Sequence, residues 1–267
     1  MNFAGQLEPG RMDELGRLDS PMHRIDARAK VLATLAFTVA VLSFPRQAVS
    51  PLTPFLFYPV ALVALGRIPP RLILRKLFAA APFALLVGLF NPLVERRPVL
   101  ALGPVVVTDG WLACLSILLR FALTAGAALA LVACTGMHRL GAALARLGVP
   151  RVLVMQMLFL YRYLFVVAGQ ASAMLRSATL RAPGRALPLP AYGAMTGHLL
   201  IRSLDRAERV FDAMAARGFD GEVRLLQAPR LRWSDALFLG GCLLFFLAAR
   251  LRNLPEALGR LIAGGPA

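Results

Sequence analysis

Apolar residues along this chain are gathered into long runs, and the short stretches between the runs carry most of the charge. A membrane-spanning helix needs about 20 mostly apolar residues. We therefore predict an all-α, polytopic membrane protein with about five transmembrane helices. The predicted spans cover residues 29–44, 51–66, 72–93, 110–134 and 233–249.

A sixth apolar run, residues 152–168, has the composition of a span but conflicts with the charge distribution. Basic residues concentrate in the cytoplasmic loops of membrane proteins. If the chain starts in the cytoplasm and this run crosses the membrane, the nine arginines between positions 176 and 230 lie outside. We therefore favour a helix lying along the cytoplasmic surface of the membrane, with six spans as the alternative.

Small residues recur at four-residue steps in the fourth predicted span, at Ala122, Gly126 and Ala130. Residues four positions apart lie on one face of a helix. Small side chains on such a face let a second helix approach closely inside a membrane. The pattern therefore predicts a helix-packing face.

Residues 136–231 form a predicted cytoplasmic region of three helices. The first ends at Gly148, the second runs from about 151 to 181 and stops at the segment APGRALPLP, and the third runs from about 199 to 217. The predicted domains are a cytoplasmic N-terminal segment, a four-helix membrane domain, the three cytoplasmic helices, and a last span with its tail. Their bounds are 1–28, 29–135, 136–231 and 232–267.

Two of the cytoplasmic helices end in a similar way, with an arginine followed by a helix terminator. Arg217 precedes Gly218, and Arg176 and Arg181 lie in the last turns before Gly184. A cation in the last turn and a glycine beyond it are what any well-terminated helix requires. Two such ends in one cytoplasmic region also suit docking into a soluble partner, because the guanidinium group binds carboxylates or carbonyls bidentately.

Composition and charge narrow the function classes. The chain is 58% hydrophobic with a formal net charge of +16, and its arginines lie between the apolar runs. The positive-inside rule and anionic lipid headgroups account for that charge, so we expect a lipid bilayer and no nucleic acid as partner. Residues 1–20 are polar, and we expect no secretory signal there. The three cysteines and three histidines show no metal-ligand spacing, which predicts no metal site.

Three short motifs together resemble the CbiQ-type transmembrane (T) component of energy-coupling factor transporters, over essentially the whole chain. The first motif is RIDARAKV, which contains Asp26, Arg28 and Lys30. The other two are the triplets Leu180-Arg181-Ala182 and Ala216-Arg217-Gly218. Because the first triplet departs from the family's usual Arg-Gly, Leu175-Arg176-Ser177 is the alternative to it.

The resemblance implies a protein without covalent chemistry and without a cofactor of its own. Family members dock the two arginine triplets onto a pair of ATP-binding-cassette ATPases, which bind the ATP. They pass the ATPase motion to a separate substrate-specific membrane component. CbiQ members serve cobalt uptake for cobamide synthesis, and close relatives serve nickel or vitamins. The implied location is the bacterial inner membrane.

Some residues also admit other interpretations. The charged group at positions 26, 28 and 30 also has the composition of an interfacial charge belt. A self-contained channel or secondary transporter would place polar groups in mid-membrane, where the spans show little beyond Arg120 and Thr124. A lipid-modifying enzyme would need a facing acid and base, and the few acidic residues have no partnered histidine.

Overall fold

The computed structural model describes residues 20–45, 49–94, 98–102, 105–182, 184, 187–219 and 232–251. Nearly all described residues are helical. The α-helices, in chain order, are α1 (Pro21–Arg24), α2 (Ala27–Leu42), α3 (Phe57–Leu65), α4 (Pro70–Val94), α5 (Asp109–Thr135), α6 (Met137–Arg146), α7 (Arg151–Arg181), α8 (Leu189–Ala216) and α9 (Trp233–Leu251). A 3₁₀-helix, Ser50–Leu56, leads into α3. The prediction of an all-α polytopic membrane protein is confirmed.

A small β-hairpin joins α4 to α5. Strands β1 (Pro98–Leu102) and β2 (Val105–Thr108) pair antiparallel, with Leu102 opposite Val105. The sequence predicts only a short link here, between the spans 72–93 and 110–134. The hairpin is local and leaves the helical architecture unchanged.

Helix ends follow the glycine and proline signals in the sequence. Helix α6 ends in a Schellman motif: Gly148 has φ +98°, and the Val149 N–H donates to the Leu144 carbonyl at 3.1 Å. Helix α3 ends in the same motif, with Arg67 in the left-handed position at φ 52° and the Ile68 N–H bonded to Val63 O. A non-glycine residue rarely adopts that conformation.

Helix α8 begins ten residues earlier than the predicted start near residue 199. The prediction treated the prolines before residue 191 as helix breakers. In the structure Pro190 lies in the first turn of α8, where the missing N–H of proline would be unpaired in any case. The prolines therefore start this helix.

Four helices are long and apolar enough to cross a membrane: α4 (its first 23 residues), α5, α7 and α9. Helix α2 has 16 residues, and the stretch Ser50–Leu65 is a shorter apolar helix. The four include α7, which contains the run 152–168. Length and composition alone do not place α7 across the bilayer or along it, so the number of spans stays a prediction.

The described residues divide into two compact units. The membrane unit holds residues 20–136 and 232–251, and the central unit holds residues 137–219. In the membrane unit, α5 packs against α2, α3 and α4, and α9 packs against α2 and the 3₁₀-helix. The last span therefore folds with the early spans. The core of the membrane unit contains Phe37, Phe55, Tyr58, Leu62, Leu123, Ala127, Ala130 and Phe246.

The central unit consists of α6, α7 and α8. Helix α6 packs on α7, where Gly141 lies against Leu158, and α7 packs on α8. Few of its side chains are buried: Ala143 and Val154 are the buried hydrophobic residues within residues 137–219. The central unit is therefore an open arrangement of long helices.

Candidate functional site

The two arginine triplets of the central unit lie at the C-terminal ends of its two long helices. Arg181 is the last residue of α7 and is exposed, as is Leu180. The N–H of Ala182 donates to the Ala178 carbonyl at 3.3 Å, and Gly184 follows with φ +76°. The side chain of Arg181 is thus presented at the tip of a 31-residue helix.

Helix α8 ends in a complete Schellman motif built on the second triplet. Ala216 is its last helical residue, and Arg217 is the cap. Gly218 has φ +71°, and its N–H donates to the Ala215 carbonyl at 3.0 Å. The Phe219 N–H donates to the Met214 carbonyl, also at 3.0 Å. This geometry leaves the Arg217 side chain exposed at the tip of the helix.

The alternative arginine occupies a different position. Arg176 is exposed but lies five residues before the end of α7. Five residues rotate a side chain by about 140° around the helix axis. Arg176 therefore lies on the flank of α7, whereas Arg181 is the last residue of α7 and Arg217 is the C-cap of α8.

Helix α8 exposes its apolar residues to an unusual degree. None of its 28 residues is buried, and Leu200 and Leu204 are 61% and 57% exposed. Between α7 and α8 runs an apolar groove of about 500 Å³ whose lining includes Phe159, Val210 and Phe219. Large exposed apolar surfaces of this kind mark contacts with a protein or a membrane.

Asp26 and Lys30 of the N-terminal motif are buried in the membrane unit, whereas Arg28 is half-buried. Asp26 is 6% exposed and caps α2, its carboxylate accepting a hydrogen bond from the Arg28 N–H at 2.9 Å. The guanidinium Nε of Arg28 lies 4.0 Å from the same carboxylate. An interfacial charge belt would leave Asp26 exposed to water and headgroups, whereas the structure buries it.

Lys30 lies one turn further along α2 and is 1% exposed. Its ammonium group donates to the Cys134 carbonyl at 3.3 Å, at the C-terminal end of α5. A cation is favoured there because the last carbonyls of a helix are unpaired and carry a partial negative charge. Lys30 thus joins the start of α2 to the end of α5.

The structure adds Asp235, which the sequence analysis did not single out. Asp235 is 1% exposed in the first turn of α9. One carboxylate oxygen accepts from the Asp26 N–H at 2.9 Å, and the other accepts from the Arg232 N–H at 2.7 Å. The signal available in the sequence was an acidic residue in the first turn of an apolar span, two positions after Trp233, which begins it.

The predicted packing face on α5 is only partly inside the core. Gly126 and Ala130 are buried, and Ala122 is half-buried. A Cβ added at Gly126 would meet nothing within 4 Å. The close approaches to α5 instead occur at glycines of neighbouring segments.

Both close approaches involve a cysteine of α5. A Cβ on Gly66 would lie 2.6 Å from Cys134 Sγ, and a Cβ on Gly88 would lie 3.0 Å from Cys114 Sγ. Both cysteines are buried, as expected for small apolar side chains. The cysteines of α5 are therefore the side chains that fit against these glycines.

Arginines bind the opposite end of α2. The Arg120 guanidinium donates to the carbonyls of Phe44, at 3.1 Å, and Pro45. Arg250 donates to the Ser43 carbonyl at 3.1 Å and lies 4.3 Å from the centre of the Phe44 ring. Arg120 thus binds the backbone carbonyls that follow α2. Among the residues that the structure describes, no group of three or more His, Cys, Asp or Glu side chains could hold a metal ion.

Comparison with known proteins gives a family match over most of the chain. The family described as CbiQ, cobalt transport protein, matches residues 19–227. An uncharacterized protein of Methanocaldococcus jannaschii is 24% identical over 236 residues, which cover 84% of this chain and 80% of that protein.

A second relative is named for cobalt transport. The cobalt transport protein CbiQ of Rhodobacter capsulatus is 38% identical over 85 residues, which cover 31% of this chain and 35% of that protein. The match to this relative is therefore local, whereas the family match covers most of the chain and includes both arginine triplets and the N-terminal motif.

Proposed function

The chain belongs to the CbiQ family of cobalt transport proteins, and from that membership we propose that it is the coupling subunit of an ATP-driven energy-coupling factor importer. It is a multi-pass membrane component of cobalt transport. The finer proposal is that it links a pair of ATP-binding-cassette ATPases to a separate membrane subunit that holds the cobalt ion. The complex would lie in a bacterial inner membrane.

The observation that carries this proposal is the matched pair of exposed arginine ends. Arg181 and Arg217 each lie at the end of a long helix. Each is followed within three residues by a glycine with positive φ, Gly184 or Gly218. A helix end with an exposed guanidinium group is a rigid, charged tip that fits an acidic or carbonyl-lined pocket. Arg181 is the better candidate than Arg176 because Arg181, like Arg217, lies at a helix end, whereas Arg176 lies five residues before one.

The apolar faces of the central unit support a second contact. Helix α8 leaves large apolar side chains exposed along its length. We propose that these faces contact the substrate-specific membrane component, with lipid covering what remains. ATP-driven motion of the arginine tips would then move a surface that the substrate-binding partner touches. This coupling works only if the two states of the ATPase bind the arginine tips with different free energies.

Purification of the tagged protein from its native membranes tests the proposal. We expect the wild type to bring down an ATP-binding-cassette ATPase and a second membrane protein. Arg181→Glu and Arg217→Glu should each weaken the ATPase association, because truncating one partner of a buried charge pair at an interface costs roughly 2–5 kcal/mol. Cobalt uptake by cells that carry either variant should fall in parallel.

Matched controls separate docking from a general charge effect. Arg209→Glu makes the same charge change at an exposed position on the side of α8, and Arg176→Glu makes it on the side of α7. Both should retain the ATPase. Loss of the ATPase with Arg176→Glu but not with Arg181→Glu would move the first docking site to Arg176. A wild type that purifies without any ATPase would remove the coupling proposal and favour an independent channel.

A further inference from the structure

The buried group of Asp26, Lys30 and Asp235 lies where the chain passes between the two units. Helix α5 is the last helix of the membrane unit before the central unit, which begins at Met137. Lys30 binds a carbonyl one residue from the end of α5. Arg232 is the first described residue after the central unit, and Asp235 binds its N–H. The last turn of α5, which precedes the central unit in the chain, and Arg232, the first described residue after it, are therefore both bound by this group.

The same three residues join helices that are remote in sequence. Asp235 reaches the backbone of Asp26 across 209 residues, and Lys30 reaches Cys134 across 104 residues. Each contact uses a charged side chain that is at most 6% exposed. A buried charge of this kind is costly unless it is bound to partners, so its hydrogen bonds hold the helix ends in one arrangement.

The core of the membrane unit offers a comparison. Another buried hydrogen bond between helices joins Thr34 Oγ1 to Tyr58 OH at 2.8 Å. That bond links α2 to α3 within the core and touches neither connection to the central unit. Within the part of the chain that the structure describes, the buried carboxylates and the buried ammonium group therefore lie in this group rather than deeper in the core.

We propose that Asp26, Lys30 and Asp235 form a rigid junction that transmits displacement of the central unit to α2, α5 and α9 together. This inference rests on the proposed coupling function. The junction would convert a pull on either connection into a joint movement of three membrane helices. Without it, α5 and α9 would move separately and ATP hydrolysis would proceed without import. The three residues act as positioning residues and contact neither cobalt nor ATP.

The test uses the complete complex reconstituted in lipid vesicles, with cobalt ions imported per ATP hydrolysed as the readout. Lys30→Met removes the bond to α5, and Asp235→Asn replaces one carboxylate oxygen by an amide donor facing a backbone N–H. Each variant complex should assemble and hydrolyse ATP. Import per ATP should fall about 5-fold or more, the usual scale of coupling between two sites.

Two control variants identify the cause of any loss. Tyr58→Phe removes a buried hydrogen bond of the same membrane unit away from the connections, and should leave import per ATP at the wild-type value. Lys30→Arg keeps a cation beside the Cys134 carbonyl and should retain most of the coupling. Wild-type import per ATP in assembled Lys30→Met and Asp235→Asn complexes would overturn the junction. A wild-type complex without ATP-driven import would instead overturn the coupling function itself.

A measurement without substitutions in the core covers the case in which the variants do not fold. Spin labels at the exposed positions Arg24 and Arg232 report the distance between the segment just before α2 and the segment just before α9, on either side of the junction. The distance should stay the same with and without ATP in the complete complex. A change in that distance during the ATP cycle would show that the junction opens, which contradicts the proposal.

Discussion

Helices α5 and α8 have nearly the same length but differ in how many of their residues are buried. Helix α5 has 27 residues, of which 12 are buried within the membrane unit. Helix α8 has 28 residues, none of them buried. The first helix uses its side chains to hold the fold together. The second leaves its apolar side chains available to other molecules.

The same difference distinguishes the two units: the membrane unit has a packed core, and the central unit leaves its apolar side chains exposed. The membrane unit contains a continuous aromatic core, in which the Phe37 and Tyr58 ring centres are 4.7 Å apart. The central unit is held by α6 on α7 and α7 on α8, with a long apolar groove left open. We therefore expect stability to depend on the membrane unit and partner binding to depend on the central unit. Matched substitutions in both units test that division.

The largest effect should come from Phe37→Ala. Phe37 is fully buried and contacts the rings of Phe55, Tyr58 and Phe246. Its truncation removes close packing contacts and should lower the free energy of unfolding by about 3–5 kcal/mol. The measurement is the melting temperature of the detergent-purified protein.

The counterpart in the central unit is Phe211→Ala. Phe211 is 67% exposed on α8. Its truncation should leave the melting temperature unchanged and should weaken association with the membrane partner. Equal losses of stability from Phe37→Ala and Phe211→Ala would contradict the division between the units.

An intermediate effect is expected from Gly66→Ala. The new Cβ would lie 2.6 Å from both Cys134 Sγ and the Leu62 carbonyl oxygen, and the backbone cannot move away without disturbing the end of α3. Overpacking of this kind costs about 1–3 kcal/mol. Thermal unfolding in detergent checks it. Gly126→Ala on α5 is the control, since its Cβ meets nothing within 4 Å, and it should be tolerated.

A smaller loss of stability, confined to the end of α8, should come from Gly218→Ala. Gly218 has φ +71°, a conformation that costs a residue with a Cβ roughly 1–2 kcal/mol. Because the strain falls on the end of α8, the membrane unit should unfold at its normal temperature while ATPase association weakens. Co-purification and melting temperature, measured on the same sample, report the two quantities.

Gly197→Ala provides the comparison for this variant. Gly197 lies within α8, and an added Cβ meets nothing within 4 Å. Alanine is favoured over glycine inside a helix by roughly 0.5–1 kcal/mol. The variant should therefore keep the ATPase. If Gly197→Ala and Gly218→Ala lose the ATPase equally, the geometry of the helix end is not what the partner recognises.

Local signals in the sequence determined the membrane character, the helical class and the arginine-bearing helix ends. Helix ends depend on residues within a few positions of one another, as at Gly148 and Gly218, so the chain alone predicts them. The start of α8 was missed because a proline stops one helix and opens another with the same local chemistry.

The tertiary structure alone decided where the residues of the N-terminal motif lie and what they contact. Asp26 and Lys30 have the sequence pattern of an interfacial charge belt, yet the fold buries both and brings them to Asp235 and to the end of α5. No local pattern records a contact across 104 or 209 residues, because it depends on how the helices pack. A charged residue near a helix start is solvated in one fold and buried in another. Its burial follows from the packing of α2, α5 and α9 around it.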